Sequence, residues 1–89
     1  MNELDINGEF LVKNLGDDQF EISITSDTLT KDLDLNVFNM LGQNLLWKTL
    51  ENEGGTYRYN LNMSYASPGV YLIRVQDGNG ATVKRIVVE

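Results

Sequence analysis

Between recurring clusters of turn residues, the side chains of this sequence alternate apolar and polar with a period of two. That period places every second side chain on one face of an extended strand. No segment keeps apolar residues at i, i+3, i+4 and i+7 for three turns, so amphipathic helices are excluded and an all-β chain is predicted. Seven strands are expected, at residues 9–15, 19–26, 32–39, 44–51, 56–62, 69–76 and 81–88, with starts ten to thirteen residues apart. Such spacing is that of a β-sandwich. The alternation is clearest where Phe20, Ile22 and Ile24 oppose Glu21, Ser23 and Thr25. Leu33, Leu35 and Val37 alternate likewise with Asp34, Asn36 and Phe38, and Tyr71, Ile73 and Val75 with Leu72, Arg74 and Gln76, which predicts central strands for these two segments. Residues 77–80 read Asp-Gly-Asn-Gly and predict a tight hairpin between the last two strands. Residues 62–68 are expected to carry the chain from one sheet to the other.

With 89 residues the chain makes one domain, built on one core without disulfides. It contains no Cys and no His. That removes the thiol nucleophile, the imidazole base and the usual zinc ligands, so neither an enzyme nor a cofactor is expected. Thirteen acidic residues against seven basic give a net charge of −6, which argues against nucleic acid and anionic membrane surfaces as partners. The longest apolar run, residues 70–73, is four residues, far short of the roughly 20 that span a bilayer as a helix. The opening Met-Asn-Glu-Leu-Asp is acidic and does not read as a secretory signal peptide.

Pro68, Gly69, Val70 and Tyr71 form a unit suited to turning the chain into a strand, Pro68 by its fixed φ and Gly69 by a positive one. The Tyr71 hydroxyl is expected to return to nearby backbone, as in the tyrosine corner of immunoglobulin-like sandwiches. In the last strand Val83, Ile86, Val87 and Val88 interleave with Lys84 and Arg85. Two readings stay open there: an edge strand guarded by its cations, or a strand that a receptor completes or grips by its basic apolar tail. Asp17, Asp18, Asp27, Asp32 and Asp34 raise calcium, but the EF-hand order is missing and solvated loops are expected. Trp47, Tyr57, Tyr59 and Tyr65 are candidates for a sugar platform, with core or cross-strand packing the expected role.

Residues 35–43 read Leu-Asn-Val-Phe-Asn-Met-Leu-Gly-Gln, residues 63–75 read Met-Ser-Tyr-Ala-Ser-Pro-Gly-Val-Tyr-Leu-Ile-Arg-Val, and residues 84–89 read Lys-Arg-Ile-Val-Val-Glu. Together these resemble the C-terminal sorting domains of the type IX secretion system of the Bacteroidetes. The family pattern has a strand ending in a Gly-Gln or Gly-Arg turn, matched by Gly42 and Gln43. An Ala-Ser-Gly-Val-Tyr strand opening follows, matched around Pro68, Gly69, Val70 and Tyr71. A Lys-rich apolar strand then closes it, matched by Lys84, Arg85, Ile86, Val87 and Val88. The resemblance covers roughly residues 19–89. It departs at the start, where the Pro-Asn-Pro stretch of the commonest subclass is missing and only Gly8, Glu9 and Phe10 keep the Gly-x-Phe strand.

What the resemblance implies is a single immunoglobulin-like β-sandwich of about seven antiparallel strands, occupying residues 1–89 as the tail of a larger secreted precursor. Its implied partners are the type IX outer-membrane translocon and shuttle proteins, a sortase-like surface protease and a cargo domain upstream in the same chain. Its implied location is the periplasm in transit, then the cell surface or beyond. The alternative reading is an extracellular β-sandwich used for adhesion, carbohydrate binding or spacing within a larger surface protein.

Overall fold

The computed structural model describes residues 2–4 and 6–89. Its strands are β1 (Asn2–Glu3), β2 (Gly8–Gly16), β3 (Gln19–Ser26), β4 (Leu33–Asn39), β5 (Asn44–Leu50), β6 (Thr56–Asn62), β7 (Gly69–Gln76) and β8 (Gly80–Val88). All seven expected strands are present, with limits that agree to within one residue. The short β1 was not expected, because two residues carry no periodicity. No helix long and apolar enough to cross a membrane occurs among the described residues.

The strands form a five-stranded sheet in the order β1-β8-β7-β4-β5 and a three-stranded sheet in the order β2-β3-β6. Neighbours are antiparallel throughout, except that β1 runs parallel to β8. In immunoglobulin lettering β2, β3 and β6 stand as A, B and E, and β8, β7, β4 and β5 as G, F, C and C′, which makes the sandwich immunoglobulin-like. The two segments predicted as central, β4 and β7, pair with each other and each has a second neighbour. Residues 62–68 do cross from the smaller sheet to the larger one.

Alternation explains the core. Leu35 faces Val75 and Val37 faces Ile73 across β4 and β7, and all four are fully buried. Ile22 and Ile24 of β3 and Tyr57 and Leu61 of β6 close over them from the opposite sheet. Phe10 brings β2 into the same cluster, and Leu4 brings in the chain beside β8.

Polar clamps join the layers where strands change sheet. Ser26 is buried, and its hydroxyl donates to the carbonyl of Ile6 while accepting the N–H groups of Thr28 and Leu29 at 3.1 and 3.0 Å. The Ser26 N–H donates to the Gly55 carbonyl at 2.8 Å. Gly55 has φ +87°, and a Cβ there would strike the Ser26 carbonyl oxygen, so this close approach requires glycine. The Tyr57 hydroxyl donates to the Lys31 carbonyl at 2.6 Å and accepts from Asn52 Nδ2 at 2.5 Å. Among the described residues no buried side-chain nitrogen or oxygen lacks a hydrogen-bond partner.

The hairpin at residues 77–80 forms as expected, with the Asp77 N–H donating to the Gly80 carbonyl at 3.2 Å. Of its two central residues only Gly78 has positive φ, +97°, the pattern of a type II′ turn whose twist suits paired strands. Asp77 Oδ1 accepts the N–H groups of Gly80 at 2.9 Å and Asn79 at 2.8 Å. Those two bonds, Gly80 first, hold its carboxyl below the ordinary value of 3.8. A depressed carboxyl contributes stability that is present above its unfolded value and is lost as pH falls through the folded one. Asp77→Ala is therefore expected to be less stable than the parent near neutral pH. Urea denaturation from pH 7 downward should show the gap closing below about pH 4, the range in which an ordinary carboxyl titrates; a constant gap would refute the ionic contribution.

Candidate recognition site

The candidate residues come from three separate stretches, and each stretch has a local reason for its shape. At the end of β4, Asn39 organises the turn into β5. Its Oδ1 accepts the N–H groups of Leu41 and Gln43, both at 3.0 Å, and its carbonyl accepts the Gly42 N–H at 3.0 Å. Gly42 adopts φ +82° and Gln43 returns a side-chain bond, its Oε1 accepting from Asn39 Nδ2 at 2.7 Å. Gly42 and Gln43 are thus held as turn residues. Asn39 was not singled out from sequence, although an Asn three residues before a Gly is the signature of an Asx-type turn.

At the entry to β7, Gly69 has φ +151° and the Tyr71 ring is buried. The Tyr71 hydroxyl donates to the Ser67 carbonyl at 2.6 Å, four residues back. This is the tyrosine corner expected at the crossing into strand F. Pro68 precedes the strand and is exposed.

The third stretch, β8, lies against the second. Gly69 pairs with Val88, Val70 with Val87 and Tyr71 with Ile86. On its other side Tyr71 pairs with Asn39, the organiser of the Gly42 turn. Residues separated by more than forty positions in sequence therefore meet at one end of the five-stranded sheet. The 62–68 crossover joins that end, where Asp18 accepts the Met63 N–H through its carbonyl at 2.9 Å and the Glu89 N–H through Oδ1 at 3.2 Å.

The pleat sorts these residues by face. Tyr71, Ile86 and Val88 point into the core and are buried, whereas Val70, Arg85 and Val87 point away from it. Lys84 and Arg85 lie on opposite faces of β8. Lys84 faces inward at the open side of the sandwich, opposite Ile73, with its ammonium 5.5 Å from the Phe10 ring centroid. That distance is within reach of a cation–π attraction. Arg85 faces outward, opposite Leu72.

Strand β1 pairs only with Gly80 and Ala81, and among the described residues no strand pairs with the outer edge of β8 beyond them. An inward charge such as Lys84 is one of the devices that keep an open edge from pairing with other chains. The last strand is thus an edge along most of its length.

A family model described as the secretion system C-terminal sorting domain matches residues 16–89. The chain belongs to this family, that of the type IX sorting domains. No curated protein matches it. The match to the sorting domain opens at the last residue of β2, just after the region that lacks the Pro-Asn-Pro stretch. Strand β2 nevertheless pairs with β3 along its length and contributes Phe10 to the core.

The remaining candidates separate from the sorting motifs. Tyr57 is buried and Tyr59 packs against the core, as expected, but Trp47 and Tyr65 are both 64% exposed, against the expectation of packing. Trp47 is on the edge strand β5, where it pairs with Asn36 on the face turned away from the smaller sheet. Among the aspartates, Asp32 accepts the Asn52 N–H at 3.0 Å, and no three acidic side chains gather among the described residues.

The part-buried bond from the Tyr71 hydroxyl to the Ser67 carbonyl ties β7 to the crossover before it. Tyr71→Phe is expected to cost about 1 kcal/mol in denaturant unfolding. An unchanged midpoint would remove the corner from the account of this fold.

Proposed function

We propose that this sorting domain is a non-catalytic export label, one that carries cargo attached upstream in the same chain across the outer membrane through the type IX translocon. The observation that carries the proposal is the convergence of the Gly42 turn, the Gly69 strand opening and the end of β8 at one pole of one sheet. Family membership gives that pole its meaning. The inventory supports a label over a catalyst, since the chain offers neither His nor Cys. In this reading the domain folds in the periplasm, where shuttle proteins and the translocon recognise it, and it reaches the cell surface with its cargo. A sortase-like protease then separates the two.

The test is a fusion of residues 1–89 behind a reporter that is delivered to the periplasm of a type IX-competent cell. Reporter on the cell surface or in the medium is expected, and reporter held in the periplasm behind a folded domain would overturn the proposal. Loss of export in a strain without the translocon is the matching control.

A further inference from the structure

The outward side of the five-stranded sheet is apolar to an unusual degree for a solvated face. Register places Trp47, Asn36, Arg74 and Val83 in one row across β5, β4, β7 and β8. Phe38, Leu72 and Arg85 form the next row, and Val70 and Val87 the next. Trp47 is 64% exposed, and Val83 and Val87 are 51% exposed each. Phe38, Leu72 and Val70 lie half-buried between them. Antiparallel sheets with one solvated face ordinarily carry polar side chains there, and a contiguous apolar patch marks an interaction surface.

Its charge differs from that of the rest of the molecule. On the paired strands the ionisable groups of this face are Glu3, Asp34, Arg74 and Arg85, two cations and two anions, and both anions stand at the hairpin pole, opposite Ala81 and Gln76, while Arg85 stands opposite Leu72. The chain as a whole carries −6. A second copy of the chain would bring the same −6 with it, and an anionic membrane would repel both. A protein surface with apolar side chains and a carboxylate fits instead, since Arg in an apolar surround favours a bidentate carboxylate partner.

We propose that the outward face of the five-stranded sheet, centred on Val70, Leu72, Arg85 and Val87, is where the export machinery grips this domain, through an apolar protein surface bearing a carboxylate opposite Arg85. The inference rests on the export role above and names the surface that role uses. It divides the sorting residues by direction: Tyr71, Ile86 and Val88 build the sandwich, while Val70, Arg85 and Val87 are presented to the partner. The open edge of β8 then serves only as a guarded edge.

Adjacent residues on opposite faces make the test sharp. Arg85→Glu and Lys84→Glu change the same charge one position apart on the same strand, with both side chains exposed. In the reporter fusion Arg85→Glu is expected to reduce export about tenfold or more, the scale of a central interface contact, and Lys84→Glu to leave it at the parental level. Val87→Asp should follow Arg85→Glu, and Leu11→Asp, at an exposed apolar residue of the other sheet, should follow Lys84→Glu. Circular dichroism and the thermal midpoint of each purified variant report on folding. Equal losses for Arg85→Glu and Lys84→Glu in folded variants would assign recognition to the edge or to overall charge and overturn the face. Parental export of Arg85→Glu and Val87→Asp would overturn it as well. A concentration-dependent dimer in sedimentation, abolished by Val87→Asp, would give the face to a second copy, and binding to phosphatidylglycerol vesicles abolished by Arg85→Glu would give it to lipid. Failure of the unmodified fusion to leave the periplasm overturns the export role itself, a result distinct from any difference among variants.

Discussion

Slipping β7 by one residue against its neighbours would turn Tyr71, Ile73 and Val75 out to water and drive Leu72, Arg74 and Gln76 into the core. Both flanking strands read their register from β7: Ile73 faces Val37 on one side and Lys84 on the other. The Tyr71 hydroxyl bond to Ser67 fixes where β7 begins, since the ring must stand over the crossover that precedes it. From that one registration follow the inward set that fills the sandwich, the outward set that meets solvent, and the pairing of Gly69, Val70 and Tyr71 with Val88, Val87 and Ile86. The smaller sheet depends on it too, because Ile22 and Ile24 need the surface of Leu35, Val37, Ile73 and Val75 to close against.

Much of this was legible in the residues. Alternation in β3, β4 and β7 gave the inward faces correctly, and the turn residues placed the strand limits closely. Tyr71 was legible as a corner because a Pro-Gly entry before a strand leaves its hydroxyl backbone to reach. Opposite directions for Lys84 and Arg85 follow from strand period, yet adjacency in sequence invites their reading as one charge cluster. The exposure of Trp47 was hidden for a different reason: Leu45, Leu46 and Trp47 make both faces of β5 apolar, and only the pairing of Leu46 with Val37 shows that Trp47 takes the outer one. β1 was hidden because its two residues gain their strand geometry from β8 alone.

The four-residue apolar run at residues 70–73 shows how one signal carries two meanings. Its shortness excludes a membrane-spanning helix. In a strand, the same run means that both faces are apolar, so one of them must lie outside the core. Tyr71 and Ile73 take the core, and Val70 and Leu72 are left on the outer face. Ile86, Val87 and Val88 repeat the pattern on the adjacent strand. Core composition alone does not require those outward residues.

Parallel pairing of β1 with the first residues of β8 fixes a direction of entry. A polypeptide preceding β1 arrives beside Gly80, at the pole of the Asp77 hairpin. The end of β8, with Gly42 and Gly69 near it, stands at the other pole, about 27 Å away at the rise of a nine-residue strand. The molecule is 35 Å along its longest axis, so this separation uses most of its length. A bulky folded passenger would therefore cast its steric shadow over the hairpin and spare the far pole. Under the proposed export role, one tag could then follow passengers of very different size.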